Sequence, residues 1–544
     1  MKLKKDSTVQ KLRGAYYTPL QLANAMVGIF VADNDIKTIL EPSCGDGVFI
    51  DSVIESGLLN NIDSFTAVEI ELSEAVLLEN RIQQYKKIDI KNKDFFEYYN
   101  ESYKTTKYDL ILGNPPYIRY QYLTESQREI QSKILTSNGM KSNKLINAWV
   151  AFLVACVQML NENGRIAFVI PAEIMQVAYA EDLRLYLSNH LSKITLITFE
   201  KLVFPDIEQE VVVFIGEKGQ EEKGIRIFEI RDLDEFNLID LTSNCYKKMQ
   251  HLKEKWTKYF TTSHETELIK KIRKDKHFQS FADCGIINVG ITTGNNDYFS
   301  IDNKMEKEYD LSPVLLPLIG RSAHAHGIYF TKEDWMENVI KGKKAQLLNF
   351  SNVPYKDYPE KHKKYIKKGE QEEQNKGYKC SIRDRWYIVP SVWVPDAFFL
   401  RRNNLYPKFV LNQCEAVSTD TMHRIKFNND VDPETLLLSY YNSISFAFTE
   451  LCGRSYGGGV LEILPGEVGN IMLPKIRIID AEKKNYLLQK IDGIVRKNKD
   501  IEEALDIVDE EILVRQLGIE VSVCKQFRVI WKKLQKRRLG RGQI

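Results

Sequence analysis

The sequence predicts an α/β protein with a doubly wound, mostly parallel sheet over residues 1–240, an α+β module over 241–475 and a C-terminal helical segment over 476–544. Three observations predict it. Short apolar runs alternate with helix-period segments through the first 240 residues, the pattern of strands joined by crossover helices. From about residue 241 that rhythm gives way to short irregular strands, frequent aromatics and lysine-rich loops. From about Ile479 the apolar spacing turns helical to the end of the sequence.

In order along the chain, Thr38–Leu40 reads as a strand ending at Glu41, and Phe65–Val68 as a second ending at Glu69. Tyr108–Leu112 is a third, ending at Gly113-Asn114; Arg165–Ile170 is a fourth, closed by Pro171; Val211–Ile215 is another. Leu72–Gln84 and Leu145–Leu160 carry helical periodicity between them. In such folds ligands bind beyond the carboxyl ends of the strands, where Glu41, Glu69 and Asn114 fall. A boundary is expected near 235–260, and Asp500 with Glu503 predicts a capping box opening a late helix.

Composition narrows the classes. The 544 residues carry 76 Lys+Arg against 74 Asp+Glu, net +2, which hides an uneven distribution. Residues 1–240 hold 26 basic and 35 acidic side chains, whereas 241–430 hold 32 basic and 23 acidic. Such asymmetry predicts a polyanion-binding module beside a differently tasked one. The N-terminal residues show no secretory h-region, and the longest apolar run, Ala148–Val157, is about half of a membrane span, so a cytoplasmic protein without membrane contact is expected. Eight dispersed cysteines without a CxxC pair predict reduced thiols and no metal site. No GxxxxGK[ST] run is present.

Two constellations carry chemistry. Glu41-Pro42-Ser43-Cys44-Gly45-Asp46-Gly47 follows the first strand and precedes a helix start, so the backbone approaches a ligand closely. Glu69 ends the next strand, where a carboxylate bridges ribose hydroxyls; Asp94, followed by Phe95 and Phe96, is placed to accept an adenine amine beside an aromatic wall. Several carboxylates around one pocket repel phosphates and suit a cationic nucleoside such as S-adenosylmethionine (SAM). The second constellation is Asn114-Pro115-Pro116-Tyr117 after the third strand. The prolines stiffen the chain, so the Asn114 side-chain oxygen and the Pro115 carbonyl present two fixed acceptors to an NH₂ group, and Tyr117 offers a stacking face.

The ordered set GAYYTP (14–19), EPSCGDGVFI (41–50), VEI (68–70), DFF (94–96) and NPPY (114–117) resembles the gamma group of DNA adenine-N6 methyltransferases of bacterial restriction–modification systems. The resemblance covers the first 240 residues closely and the rest more loosely. It implies a Rossmann-like SAM-dependent methyltransferase domain with SAM as cofactor. Thr18 is then expected at the methionine end of SAM, Glu41 to Gly47 around it, Glu69 at the ribose, and Asp94 and Phe95 at the adenine, with Ile70 and Pro116 also in the cofactor site. Asn114, Pro115 and Tyr117 are expected to hold the target base, with Phe204, in Leu202-Val203-Phe204-Pro205, as a second wall. The implied reaction is methylation of the N6 amino group of an adenine flipped out of double-stranded DNA. A separate cognate restriction endonuclease is the partner that such a system implies. NPPY alone does not separate DNA adenine from RNA adenine or a protein glutamine; the basic second module favours a duplex.

Residues 241–475 resemble, more weakly, target-recognition regions of the larger enzymes of this group, through VGITTGNNDYF (289–299), LLPLIGRSAHAHG (315–327), YPKFVLNQ (406–413) and YGGGVLEILPGEVGNIMLP (456–474). Lys361, Lys363, Lys364, Lys367 and Lys368 form a compact basic cluster expected to neutralise phosphates. Gly457–Gly459 reads either as a phosphate-approaching loop or as a flexible turn. Pro205-Asp206 with Glu221-Glu222-Lys223 superficially matches a PD…(D/E)xK nuclease, an alternative disfavoured because Pro205 belongs to the Phe204 segment.

Overall fold

The computed structural model describes residues 17–540, apart from 143–145, 202, 205–209, 220–221, 244, 250–254, 457–458, 477–478 and 498–499. The chain divides into two compact units, Met1–Thr262 and Ser263–Gly542.

The first unit is built on a nine-stranded sheet in the order β3-β2-β1-β4-β5-β7-β6-β8-β9. The strands are β1 (Thr38–Glu41), β2 (Ser64–Glu69), β3 (Ile88–Asn92), β4 (Tyr108–Gly113), β5 (Leu160–Pro171), β6 (Lys193–Phe199), β7 (Val211–Glu217), β8 (Gly224–Ile230) and β9 (Lys247–Lys248). β1 pairs in parallel with β2 and β4, β2 with β3, β4 with β5, and β6 with β8. β7 lies antiparallel between β5 and β6, and β9 antiparallel on β8. The order reverses between β1 and β4, so the crevice beyond their carboxyl ends is the switch point where an open α/β sheet takes ligands.

The central strands are buried on both faces, and their side chains divide alternately between two cores. Ile166, Phe168 and Ile170 of β5 join one core with Leu40 and Phe214, whereas Ala167 and Val169 join the other with Ile39 and Val213. The first core is closed by α4 (Phe95–Ser102), α6 (Ala148–Gln158) and α7 (Glu181–His190), the second by α1 (Leu20–Gly28), α2 (Val48–Glu55) and α3 (Leu72–Ile82). α5 (Glu125–Ser137) precedes α6 and adds Ile134 and Leu135 to the first core. The ten-residue apolar run is α6, buried from Ala148 to Val157. Among the described residues, no helix is long and apolar enough to cross a membrane.

The expected boundary at 240/241 moves to 262/263. β9 still pairs with β8, and Met249, Trp256 and Tyr259 are buried in the first unit's core, so residues 241–262 complete this unit.

The second unit is α+β. Its largest sheet runs Gly285–Val289, Met422–Phe427, Ala397–Leu400, Phe409–Asn412, Tyr329–Phe330, antiparallel except at the last pair. The expected separate C-terminal segment does not form a unit of its own. Helices Ala481–Arg496, Ile501–Val508 and Val521–Gly540 bury Leu487, Ile491, Leu505, Phe527 and Trp531 in one core with Phe399, Phe409 and Tyr440. Asp500 caps the middle helix through Glu502 N at 3.0 Å, rather than through the expected Asp500–Glu503 box.

Candidate active site

The turn after β1 is shaped by Gly47. It has φ +82° and caps α2, and a Cβ there would sit 2.3 Å from the Leu78 side chain. A larger residue is therefore excluded both by conformation and by space. The turn is tied to β2 by Cys44 N donating to Val68 O at 3.0 Å, and by Gly45 N donating to Glu69 Oε2 at 2.8 Å. The other Glu69 oxygen accepts from Glu71 N at 2.8 Å. Burial raises the Glu69 carboxyl above its ordinary range, with these two backbone donors opposing the shift.

Glu41 lies at the end of β1, 1% exposed, and among the described residues its Oε2 has no hydrogen-bond partner. Burial first, then the nearby charges of Asp46, Glu69 and Asp51, push its carboxyl well above the ordinary range. A buried carboxylate among carboxylates is a site that a cation would relieve. Burial likewise raises the Cys44 thiol, so that it stays neutral.

Beside this turn is a cavity enclosing about 450 Å³ of empty space, open solvent included. Of the residues expected at the cofactor, Pro42, Ser43, Glu69, Ile70, Asp94, Phe95 and Pro116 line it. Glu41, the Cys44–Gly47 turn, Thr18 and Asn114 are not in its lining. They join it through the Glu69–Gly45 bond, Ser43 Oγ donating to the Asn114 carbonyl at 3.4 Å, and Asn114 Nδ2 donating to Thr18 Oγ1 at 3.2 Å. Thr18 is thus placed against Asn114, a role its expected cofactor contact did not include.

Asp94 is the N-cap of α4. Its Oδ1 accepts from Phe96 N and its Oδ2 from Gln127 Nε2, both at 2.7 Å. An adenine amine would therefore meet a carboxylate already fixed on both oxygens, each with a lone pair to spare. Phe95 stacks on Phe152 with ring centroids 4.8 Å apart, which gives the cavity a flat apolar wall. Gln127, Gln131, Ile118 and Phe152 are further lining residues that were not singled out from sequence. Only Gln127 had a local signal, the Thr124-x-x-Gln127 capping box that opens α5.

Tyr117 donates from its hydroxyl to Val169 O on β5 at 3.1 Å, which fixes the ring next to the strand. Pro115 is buried behind it. Phe204, expected as a second wall, is 5% exposed and belongs to the core beneath β5 and β7, so its ring is covered by protein in this structure. Leu202 and Pro205 of that segment lie outside the described residues.

The five lysines all fall on the helix Glu360–Gln371, but their charge is partly spent. Lys361 pairs with Asp310 at 2.6 Å, Lys363 with Glu360 at 2.8 Å and Lys368 with Glu372 at 4.0 Å. Gly457 and Gly458 lie outside the described residues; the Gly459 carbonyl accepts from Arg538. In the nuclease-like alternative, Pro205, Asp206 and Glu221 also lie outside them, and Lys223 Nζ donates to Ser188 O and Asn189 O near the end of α7.

Residues 49–204 match the model of the Eco57I restriction-modification methylase, and residues 253–513 match that of the C-terminal domain of the type II methyltransferase M.Eco57I. Together the two matches take in most of the chain and mark its likeness to restriction-modification methylases. Type II methyltransferase M.AccI of Acinetobacter calcoaceticus is 25% identical over 521 residues, covering 91% of this chain and 92% of that enzyme. M.HincII of Haemophilus influenzae is 29% identical over 254 residues, 45% of this chain and 43% of that one. The type IIL restriction-modification enzyme MmeI, solved in complex with DNA, shares the fold: TM-score 0.57, 13% identity, covering 98% of this chain and 80% of that one. The first unit thus carries the doubly wound sheet, with the Asn114–Tyr117 turn at its switch point.

Proposed function

We propose that this protein transfers the methyl group of SAM to the N6 amino group of an adenine flipped out of double-stranded DNA, protecting the site from a cognate restriction endonuclease. The observation that carries the reading is the Asn114–Tyr117 turn at the β1/β4 switch point, hydrogen-bonded to Thr18 and, through Ser43, to a cavity lined by Glu69, Asp94 and Phe95. The buried, unpartnered Glu41 oxygen is the feature that fits SAM in particular, because a phosphate-bearing ligand would worsen its environment and a cationic one relieves it. Pro42, Ser43, Glu69, Asp94 and Phe95 would hold the nucleoside, and Glu41, buried outside the lining, would favour the cationic end through its charge. When bound, SAM supplies an electrophilic methyl group on a sulfonium.

The chain's own residues do the rest by placement. The Asn114 side-chain oxygen and the Pro115 carbonyl accept both amino protons, which stabilises positive charge developing on the nitrogen and aims its lone pair. Thr18 holds the Asn114 amide in orientation. Tyr117, anchored on β5, presents a face for the extruded base; stacking of roughly 1–3 kcal/mol offsets part of an extrusion cost of a few kcal/mol. Positioning and dipolar stabilisation then carry the acceleration.

The deciding experiment is methylation of duplex DNA with labelled SAM, followed by nucleoside analysis. Label is expected in N6-methyladenine, and Asn114→Ala should lower turnover by a factor of about 100 or more with SAM binding retained. Near-wild-type turnover by that variant, or label confined to cytosine, RNA or protein glutamine, overturns the reading.

A further inference from the structure

The segment around Arg321 and the strand end at Arg401–Arg402 meet in the second unit. They line a solvent-open cleft with about 760 Å³ of empty space, together with Ser322, Asp420 and Thr421. Two of its arginines are held on one buried acid. The Glu462 Oε1 atom lies 3.1 Å from both Nε and Nη2 of Arg401 and 3.6 Å from Nε of Arg402, and the Glu462 side chain is 8% exposed. Strand pairing sets this up, since Arg402 sits directly opposite Glu462 in an antiparallel register.

The third arginine comes from another segment. Arg321 is exposed, and its guanidinium makes no hydrogen bond or ion pair among the described residues. Its backbone is fixed against the other two: Ser322 Oγ donates to Arg402 O at 3.4 Å and Thr421 Oγ1 to Gly320 O at 3.2 Å. The remaining acid of the lining, Asp420, accepts from Asn296 through Oδ1 at 3.2 Å. Three guanidinium groups therefore converge where one carboxylate oxygen serves two of them. Against the carboxylates of Glu462 and Asp420 the three leave the cleft a net positive charge, and planar guanidinium forks match phosphate oxygens.

We propose that this arginine cleft binds a phosphodiester of the DNA backbone, so that Arg321, Arg401 and Arg402 position the duplex on the second unit. The proposal rests on DNA being the substrate. Where the lysine helix 360–371 offers point charges, three of its five already paired with acids, the cleft offers planar guanidinium forks. It meets the backbone, not base edges, so it contributes affinity and placement but no sequence information.

The test is duplex binding by the full chain, measured by fluorescence anisotropy over a range of salt concentrations, for wild type and Arg321→Gln/Arg402→Gln. Both substituted side chains are exposed, and Arg401, which compensates Glu462, is left in place. The variant should bind any duplex roughly tenfold more weakly, and its log K against log salt slope should be shallower by about 1–2, at about 0.9 for each phosphate no longer neutralised. Sequencing of methylated DNA should show the same modified motif, and Arg321→Lys/Arg402→Lys should recover most of the slope. An unchanged slope overturns the cleft, and an unchanged slope with a relaxed motif reassigns the arginines to base edges. Absence of duplex binding by the wild type removes the DNA reading itself, which is a different result from either.

Discussion

Glu41 occupies the costliest position of the candidate site: fully buried, with one oxygen unpartnered and three other carboxylates raising its proton affinity. Its folded-state pKa is raised, so the unliganded protein holds this proton more tightly than the unfolded chain does. The stability it contributes is present at low pH and is lost as pH rises through the raised value. A cation bound beside it favours the ionised form, so SAM binding should release a proton and tighten with rising pH across that range. Glu41→Gln should flatten both dependences, raise the unliganded melting temperature at neutral pH by about 2–4 °C and weaken SAM by about tenfold. Calorimetric titration in buffers of different ionisation enthalpy, with melting curves against pH, measures all of this; wild-type affinity and proton release in the variant would overturn the role. The residues around Glu41 were legible because each follows an apolar run at a strand end. The Asp94 cap leaves a local trace too, an acid just ahead of the Phe95-Phe96 pair that opens α4. That Tyr117 ties back to Val169, and that Phe204 is covered, depend on strands far apart in sequence and left no local trace.

At the scale of elements, sequence patterning placed β1, β2, β4, β5 and β7 and passed over β3, β6, β8 and the two-residue β9. β3 is a half-exposed edge strand whose Ile-Asp-Ile-Lys alternation is only five residues long, and β6 and β8 carry no motif at their ends. The C-terminal helices were legible as helices, but not as part of the second unit's core, because the ion pair that secures the last of them joins residues 88 positions apart. Arg538 Nη2 lies 2.8 Å from Glu450 Oε1 with both side chains 3% exposed, and the same guanidinium donates to Asn404 O at 2.6 Å. Burial raises the Glu450 carboxyl, and Arg538 opposes that shift. Removing one partner of such a pair leaves an uncompensated buried charge. Arg538→Ala should therefore destabilise the second unit by about 3–5 kcal/mol, whereas Glu450→Met/Arg538→Met should recover most of the deficit. Urea denaturation followed by tryptophan fluorescence distinguishes these; equal stability of wild type and Arg538→Ala would show that the helix is held by its apolar face alone.

For the whole molecule, the boundary found at 262/263 transfers five lysines and one glutamate from the basic part to the acidic part. The split becomes −5 against +7, less steep than the sequence segments suggested but of the same sign. Each unit has its own cores, with none drawing buried residues from both sides of the boundary. The two proposed ligands should therefore stabilise different parts of the chain. In differential scanning calorimetry, SAM at about 100 times its Kd should add roughly 2.7 kcal/mol to the first unit and move its transition up by about 5–10 °C, leaving the other transition nearly in place. A short target duplex should raise the second transition, and that gain should shrink as salt is added, because displaced counterions drive phosphate binding. The SAM-dependent gain should change little over the same salt range, since its proposed anchor, Glu41, is buried and poorly screened. If either ligand moved both transitions equally, the units would unfold as one cooperative body, and the charge asymmetry would describe surfaces rather than separable tasks.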